Sequence, residues 1–131
     1  MAEITRKELI LALVSAGQNP RLMGLDLSGL DLSGLALHRA NLARTNLSHA
    51  NLIMANLFEA NLTGANLTGA NLTRADLEGA YLRGANLSGA ILTDAILAEA
   101  NLTEAVLDGA DLTRVNLDGA KGYRPAKVDE G

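Results

Sequence analysis

Leucine stands at every fifth position from Leu22 to Leu117, and a period of five suits neither regular element. On a helix with about 100° per residue, successive leucines step by roughly 140° and spread around the whole cylinder. On a straight strand, an odd period sends alternate leucines to opposite faces. Both arrangements deny the leucines a common interior. They gain one if the chain bends once in every five residues, so that each bend resets the strand-like alternation. A chain that always turns in one sense closes into a coil, and successive coils stack as parallel strands about 4.8 Å apart. The pattern therefore predicts a solenoid.

From Ala40 onward the unit is usually Ala, then Asn or Asp, then Leu, then two variable residues, as in the run ANLTGANLTGANLTRADLEG beginning at Ala60. Ala and Leu are two apart and point inward, while the Asn between them points out. Aromatic residues make up only 2% of the chain, so small repeated side chains must fill the interior. Glycines at the second place after Leu, among them Gly24, Gly64 and Gly79, sort poorly into both three-sided and four-sided registers, and the residues alone leave the number of sides open. These glycines are expected at corners with φ > 0, and Arg, His, Glu, Met or Asp at the same place implies another type of turn. Asn46, Asn66 and Asn86 are expected to bond along the stack or to the turn backbone.

Two segments depart from the repeat. Ile4 to Gly17 is predicted helical, with Thr5 and Glu8 as a capping box and Ile4 with Leu9 as a hydrophobic staple. Gly17 and Pro20 stop it. Leu9, Ile10, Leu13 and Val14 share one face, which is expected to cover the first coil. After Ala120 the pattern ends in KGYRPAKVDEG, a polar, turn-rich stretch with no second amphipathic helix, so the far end is expected to be poorly capped. The chain thus divides into residues 1–21 as capping helix and linker, 22–120 as repeat, and 121–131 as tail.

The run ANLTGANLTGANLTRADLEGAYLRGANL resembles the pentapeptide repeat family, whose consensus is A(D/N)LXX. The resemblance covers roughly three-quarters of the chain. It implies an all-β solenoid, a right-handed quadrilateral parallel β-helix with twenty residues per coil. About five coils would make a rod roughly 24 Å long. Leu25, Leu30 and Leu35 replace Ala in the first units, where they should widen the coil or meet the cap. Thr45 and Val115 replace it later. Ala36, Tyr81, Ile91, Ile96 and Val106 stand where Asn or Asp is usual, which puts apolar groups outside.

Composition narrows the function. The chain has no cysteine, which excludes disulfides and thiolate metal sites. No apolar run reaches the roughly 18 residues of a membrane span, and Met1 to Thr5 does not open a signal peptide. The expected setting is cytoplasmic. His38 and His49, the latter beside Ser48, fall on different sides of the coil and have no orienting carboxylate, so neither a catalytic pair nor a metal site is expected. The glycines follow the repeat and not a phosphate-binding loop. No enzyme activity and no cofactor is expected, and no basic patch invites direct nucleic-acid binding.

Surface residues remain. Residues 22–120 hold eleven acids and five arginines. In a four-sided register Glu59, Asp76, Glu78, Glu99 and Asp118 share the side of Leu37 against Arg39 alone. Some members of the resembled family are DNA mimics that bind topoisomerases such as gyrase, so this stripe makes an acidic decoy the alternative function. A rod of about 24 Å imitating B-DNA would need roughly 14 charges, and the loop insertions and C-terminal dimerising helix of those members are absent. Ile53, Met54 and Phe58 lie near one corner, with Ile91 and Ile96 near the same corner two coils on. They form the second candidate surface. The reading is a non-enzymatic scaffold or interaction module for a protein partner, with homodimerisation through the last coil as a further expectation. Proteins resembling this one are frequent in cyanobacteria.

Overall fold

A computed structural model describes residues 4–16 and 21–123. The expectations for Gly17, Pro20 and residues 124–131 lie outside the described residues. Helix α1 spans Arg6–Ala16. The Glu8 N–H donates to Thr5 Oγ1 at 3.1 Å, and the Thr5 N–H donates to Glu8 Oε1 at 2.8 Å. This reciprocal box satisfies two donors at the helix start. Leu9 enters the same buried cluster as the repeat leucines, with Ile4 and Leu13 packed against it. The side chain of Val14 is outside the described set.

The pairing of the repeat fixes its geometry. Arg21 bridges to Asn41, Asp26 to Asn46, Asp31 to Asn51, Ala36 to Asn56, and then Asn41 to Asn61, all parallel. Four bridges therefore complete one coil and each joins residues 20 apart, so the coil is four-sided. The leucines at every fifth position from Leu27 to Leu102 are at most 1% exposed. Backbone hydrogen bonds run from each coil to the next, as from Leu52 N–H to the Asn71 carbonyl at 2.7 Å and from Asp76 N–H to the Ala55 carbonyl at 3.0 Å. Each side is thus pinned from above and below.

Each corner is a four-residue turn closed by a bond such as Ala40 N–H to the Leu37 carbonyl at 3.1 Å. Its third residue has positive φ whether or not it is glycine: Gly64 has φ 67°, Arg44 56°, His49 60° and Glu99 63°. The expectation of a different turn type for non-glycine residues is therefore overturned. The stack holds the backbone on both sides of the corner, and it imposes the left-handed region on long side chains at about 1–2 kcal/mol each. Some of the glycines have a second reason to be there. Cγ of Arg44 lies 3.3 Å from where a Cβ on Gly64 would stand, and Nδ1 of His49 lies 2.6 Å from the same point on Gly69. At Gly64, Gly69, Gly79 and Gly119 the missing Cβ gives room to the side chain leaning over from the preceding coil.

The outward Asn residues serve the turn backbone. Oδ1 of Asn46, Asn66 and Asn86 each accepts an N–H two residues on, at 3.0 Å. The two ends of the stack are finished differently. Leu25, Leu30 and Leu35 are half-buried against the core, and Arg6 donates to the carbonyls of Asp31 and Ser33, the latter at 3.2 Å. One coil later the equivalent carbonyls, on Asn51 and Ile53, accept from Leu32 and Gly34 at 2.7 and 2.9 Å. The guanidinium of Arg6 therefore supplies the two donors that a preceding coil would have supplied. At the other end Leu107, Leu112 and Leu117 are half-buried. A hollow of about 780 Å³ opens there, lined by Leu102, Ala105, Leu107, Leu112 and Tyr123 among others.

Candidate interaction surface

Bridges running Ala36, Asn56, Asp76, Ile96 and Asn116 define the side of Leu37. Glu59, Asp76, Glu78, Glu99 and Asp118 all project from it. Arg39 changes the N-terminal part of that column. Its Nε lies 3.0 Å from Glu59 Oε1, and its guanidinium sits 5.9 Å from the Phe58 ring centroid. Glu59 is thereby paired, whereas Asp76, Glu78, Glu99 and Asp118 have no ion-pair partner among the described residues.

The apolar candidates fall into two groups. Ile53, Met54 and Phe58 flank one corner, and Ile91 and Ile96 lie at the same corner two coils on, about 10 Å along the axis. The coil between them presents Thr73, Arg74 and Asp76 there, so the groups do not merge into one patch. Within residues 81–106 apolar residues replace Asn or Asp four times, once on each side of the coil, and only Ile91 and Ile96 flank a common corner. Tyr81, Ile91, Ile96 and Val106 occupy the same place in their units and are 53, 38, 37 and 40% exposed. None of them carries the oxygen that Asn or Asp offers there. The N–H groups of Arg83, Thr93, Ala98 and Asp108 consequently lack the acceptor that Thr73, one coil earlier, finds on Asn71 at 3.1 Å. All four stand out in the sequence, with Ala36, as departures that put apolar groups outside, but the N–H that each leaves uncapped does not. The signal was available in the loss of the capping residue from four units between 81 and 106.

Three aspartates elsewhere are held by local donors. Asp94 accepts from Arg114 Nε at 2.7 Å and from Nη2 at 3.1 Å, and this bond holds its carboxyl below the usual carboxylate range. The Thr113 hydroxyl and N–H do the same for Asp111, and those of Ser33 for Asp31. All three stay ionised at neutral pH. His38 and His49 stand on different sides, with His49 exposed over Gly69. His38 is half-buried, and its buried Nδ1 has no partner among the described residues. Among the described residues no three His, Asp or Glu side chains are grouped to hold a metal ion, and no helix is long and apolar enough to cross a membrane.

The profile of the family of pentapeptide repeats (8 copies) matches residues 21–57, 55–94 and 95–121. The chain is a pentapeptide repeat protein. Its four-sided parallel coil is the quadrilateral β-helix of that family. The structure of a pentapeptide repeat protein from the thylakoid lumen of Arabidopsis thaliana is similar, at 36% identity over 79% of this chain and 72% of that one, with a TM-score of 0.74. Rfr23 of the cyanobacterium Cyanothece 51142 shares 43% identity over 75% of this pentapeptide repeat protein and 60% of its own chain, with a TM-score of 0.29. QnrB1, a plasmid-mediated fluoroquinolone resistance protein, shares 24% identity over 76% of this chain and 61% of its own, with a TM-score of 0.36. No curated protein sequence matches the chain.

Proposed function

We propose that this pentapeptide repeat protein, as a rod of about five right-handed coils, is a non-enzymatic cytoplasmic interaction module. It offers a protein partner the apolar corner flanked by Ile91 and Ile96. The observation that carries the reading is stability given up without return. An Asn or Asp at each of these places would make one further hydrogen bond, worth about 0.5–1.5 kcal/mol net. Ile91 and Ile96 forgo it and expose apolar surface instead, and they point away from the core. Local rules broken without a compensating gain in the fold mark functional surface.

The Ile91→Asn, Ile96→Asn double variant tests this. Two restored caps should raise the melting temperature by roughly 5 °C or more, measured by calorimetry. In affinity purification from the native cell, a protein held by the natural chain should be lost from the stabler variant. An unchanged set of captured proteins would remove the proposal.

Self-association through the C-terminal end is favoured by a separate observation. The N–H groups of Leu107, Gly109, Leu112 and Arg114 have no further coil to reach among the described residues, whereas their equivalents Leu87, Gly89, Leu92 and Asp94 bond at 2.7–2.9 Å. Such an edge invites pairing with a second copy across a two-fold axis. Light scattering at high concentration should find a dimer, and a monomer mass independent of concentration would refute it. A DNA-like decoy has weaker support, since Arg39 compensates Glu59 and four carboxylates fall far short of the roughly 14 charges a 24 Å duplex carries.

A further inference from the structure

Arg44 and Arg83 are 39 positions apart in the chain, yet both line one open hollow of about 430 Å³ on the side of Leu42 and Leu62. Its floor is made by Gly64 and Gly84, where corners without side chains leave the surface low. A Cβ on Gly84 would meet nothing within 4 Å, so the space above it is free. Arg44 leans into the hollow from the preceding coil, with its Cγ 3.3 Å from the Cβ position of Gly64. Unlike Arg39, Arg83 and Arg114, which lie 3.0, 3.4 and 2.7 Å from carboxylates, Arg44 has no ion-pair partner among the described residues.

The other lining groups add donors. Asn61 accepts the Thr63 N–H at its Oδ1 at 3.0 Å, a bond that does not use its amide NH₂, and Thr63 lines the hollow with it. Two arginines, an asparagine and a threonine thus line the hollow, and the one acidic residue of its lining is Glu104, whose Oε1 lies 3.4 Å from Arg83 Nε. Forked N–H donors matched to two or three oxygens are the chemistry of oxyanion recognition.

We infer that this hollow binds an oxyanion carried on a side chain of a protein partner, with Glu104 as a built-in competitor for Arg83. The carrier rests on the interaction-module reading. The anion site does not, and small probes test it alone. Spectra of the ¹⁵N-labelled full chain are followed during titration with inorganic phosphate and, separately, acetate, at ionic strength held constant with chloride. Saturable shifts should gather at residues 43–44, 61–64, 83–84 and 104.

Arg44→Gln and Arg83→Gln, both at exposed positions, should each weaken binding by about fivefold or more, and Glu104→Gln should tighten it several-fold. Preference for phosphate would point to a phosphorylated partner side chain, and equal response to acetate to an Asp or Glu. Shifts no different from those in chloride alone overturn the inference. So does binding that Arg44→Gln leaves unchanged, or that Glu104→Gln fails to strengthen. Loss of partner capture by the isoleucine variant with anion binding intact would leave this site standing.

Discussion

Leu72→Ala is expected to cost about 3–4 kcal/mol of unfolding free energy, more than any surface change proposed above. Leu72 is 0% exposed, with Leu52 and Leu92 at the equivalent places one coil before and one coil after. The cost of such a truncation depends on how far the surroundings collapse into the space left behind. Here they cannot collapse far. The Leu72 N–H reaches the Ile91 carbonyl at 2.7 Å, and the Asn71 carbonyl receives the Leu52 N–H at 2.7 Å, so the backbone is tied in both directions.

A mid-stack defect also weakens both of its interfaces, because each coil is stabilised mainly by its two neighbours. Leu112→Ala removes the same atoms from the half-buried end of the same side and should cost less than about 2 kcal/mol. Urea melts of the two variants decide the matter. Equal losses at both positions would mean that the end of the stack is closed as tightly as its middle.

The leucine period exposed the interior of this molecule because every one of those side chains obeys the same constraint. Thr5 and Glu8 disclosed the helix start for a similar reason, since a capping box is wholly local. What stayed hidden depended on contacts between coils. Near-identical units carry no marker of where a coil closes, and the glycines mislead, because Gly64, Gly69 and Gly79 answer to Arg44, His49 and Glu59 one coil earlier.

The same limit concealed Arg6, whose partners Asp31 and Ser33 lie 25 and 27 positions away. It concealed the Arg44 and Arg83 hollow as well, since only the twenty-residue coil brings those two side chains to one face. The set of apolar replacements within 81–106 was half legible. Its members were visible as departures, but their shared consequence, an uncapped N–H two residues on, needed the turn geometry.

The alanines set the opposite bound on the interior. Ala75→Leu is expected to destabilise the chain by about 3 kcal/mol, although it adds apolar surface. Ala75 is 0% exposed and sits in a column whose order along the stack is Leu35, Ala55, Ala75, Ala95 and Val115. Larger residues occupy only the two ends, where Leu35 packs half-buried at the capped coil and Val115 half-buried at the open one. In the middle, Ala55 and Ala95 stand above and below, each 1% exposed, and the inward space is already filled by leucines of all four sides. Three added carbons can be housed there only by forcing the coil apart.

Spreading the coil would strain the bonds on either side of residue 75, Asp76 N–H to Ala55 and Ile96 N–H to Ala75, both 3.0 Å. Val115→Leu asks for one extra carbon at a place that opens outward, and should change stability by less than about 1 kcal/mol. Paired denaturation curves for the two variants test the claim. If Ala75→Leu proved as stable as the natural chain, the coil would be wide enough to take a leucine at that alanine, and the small residue would owe its place to something other than the width of the coil.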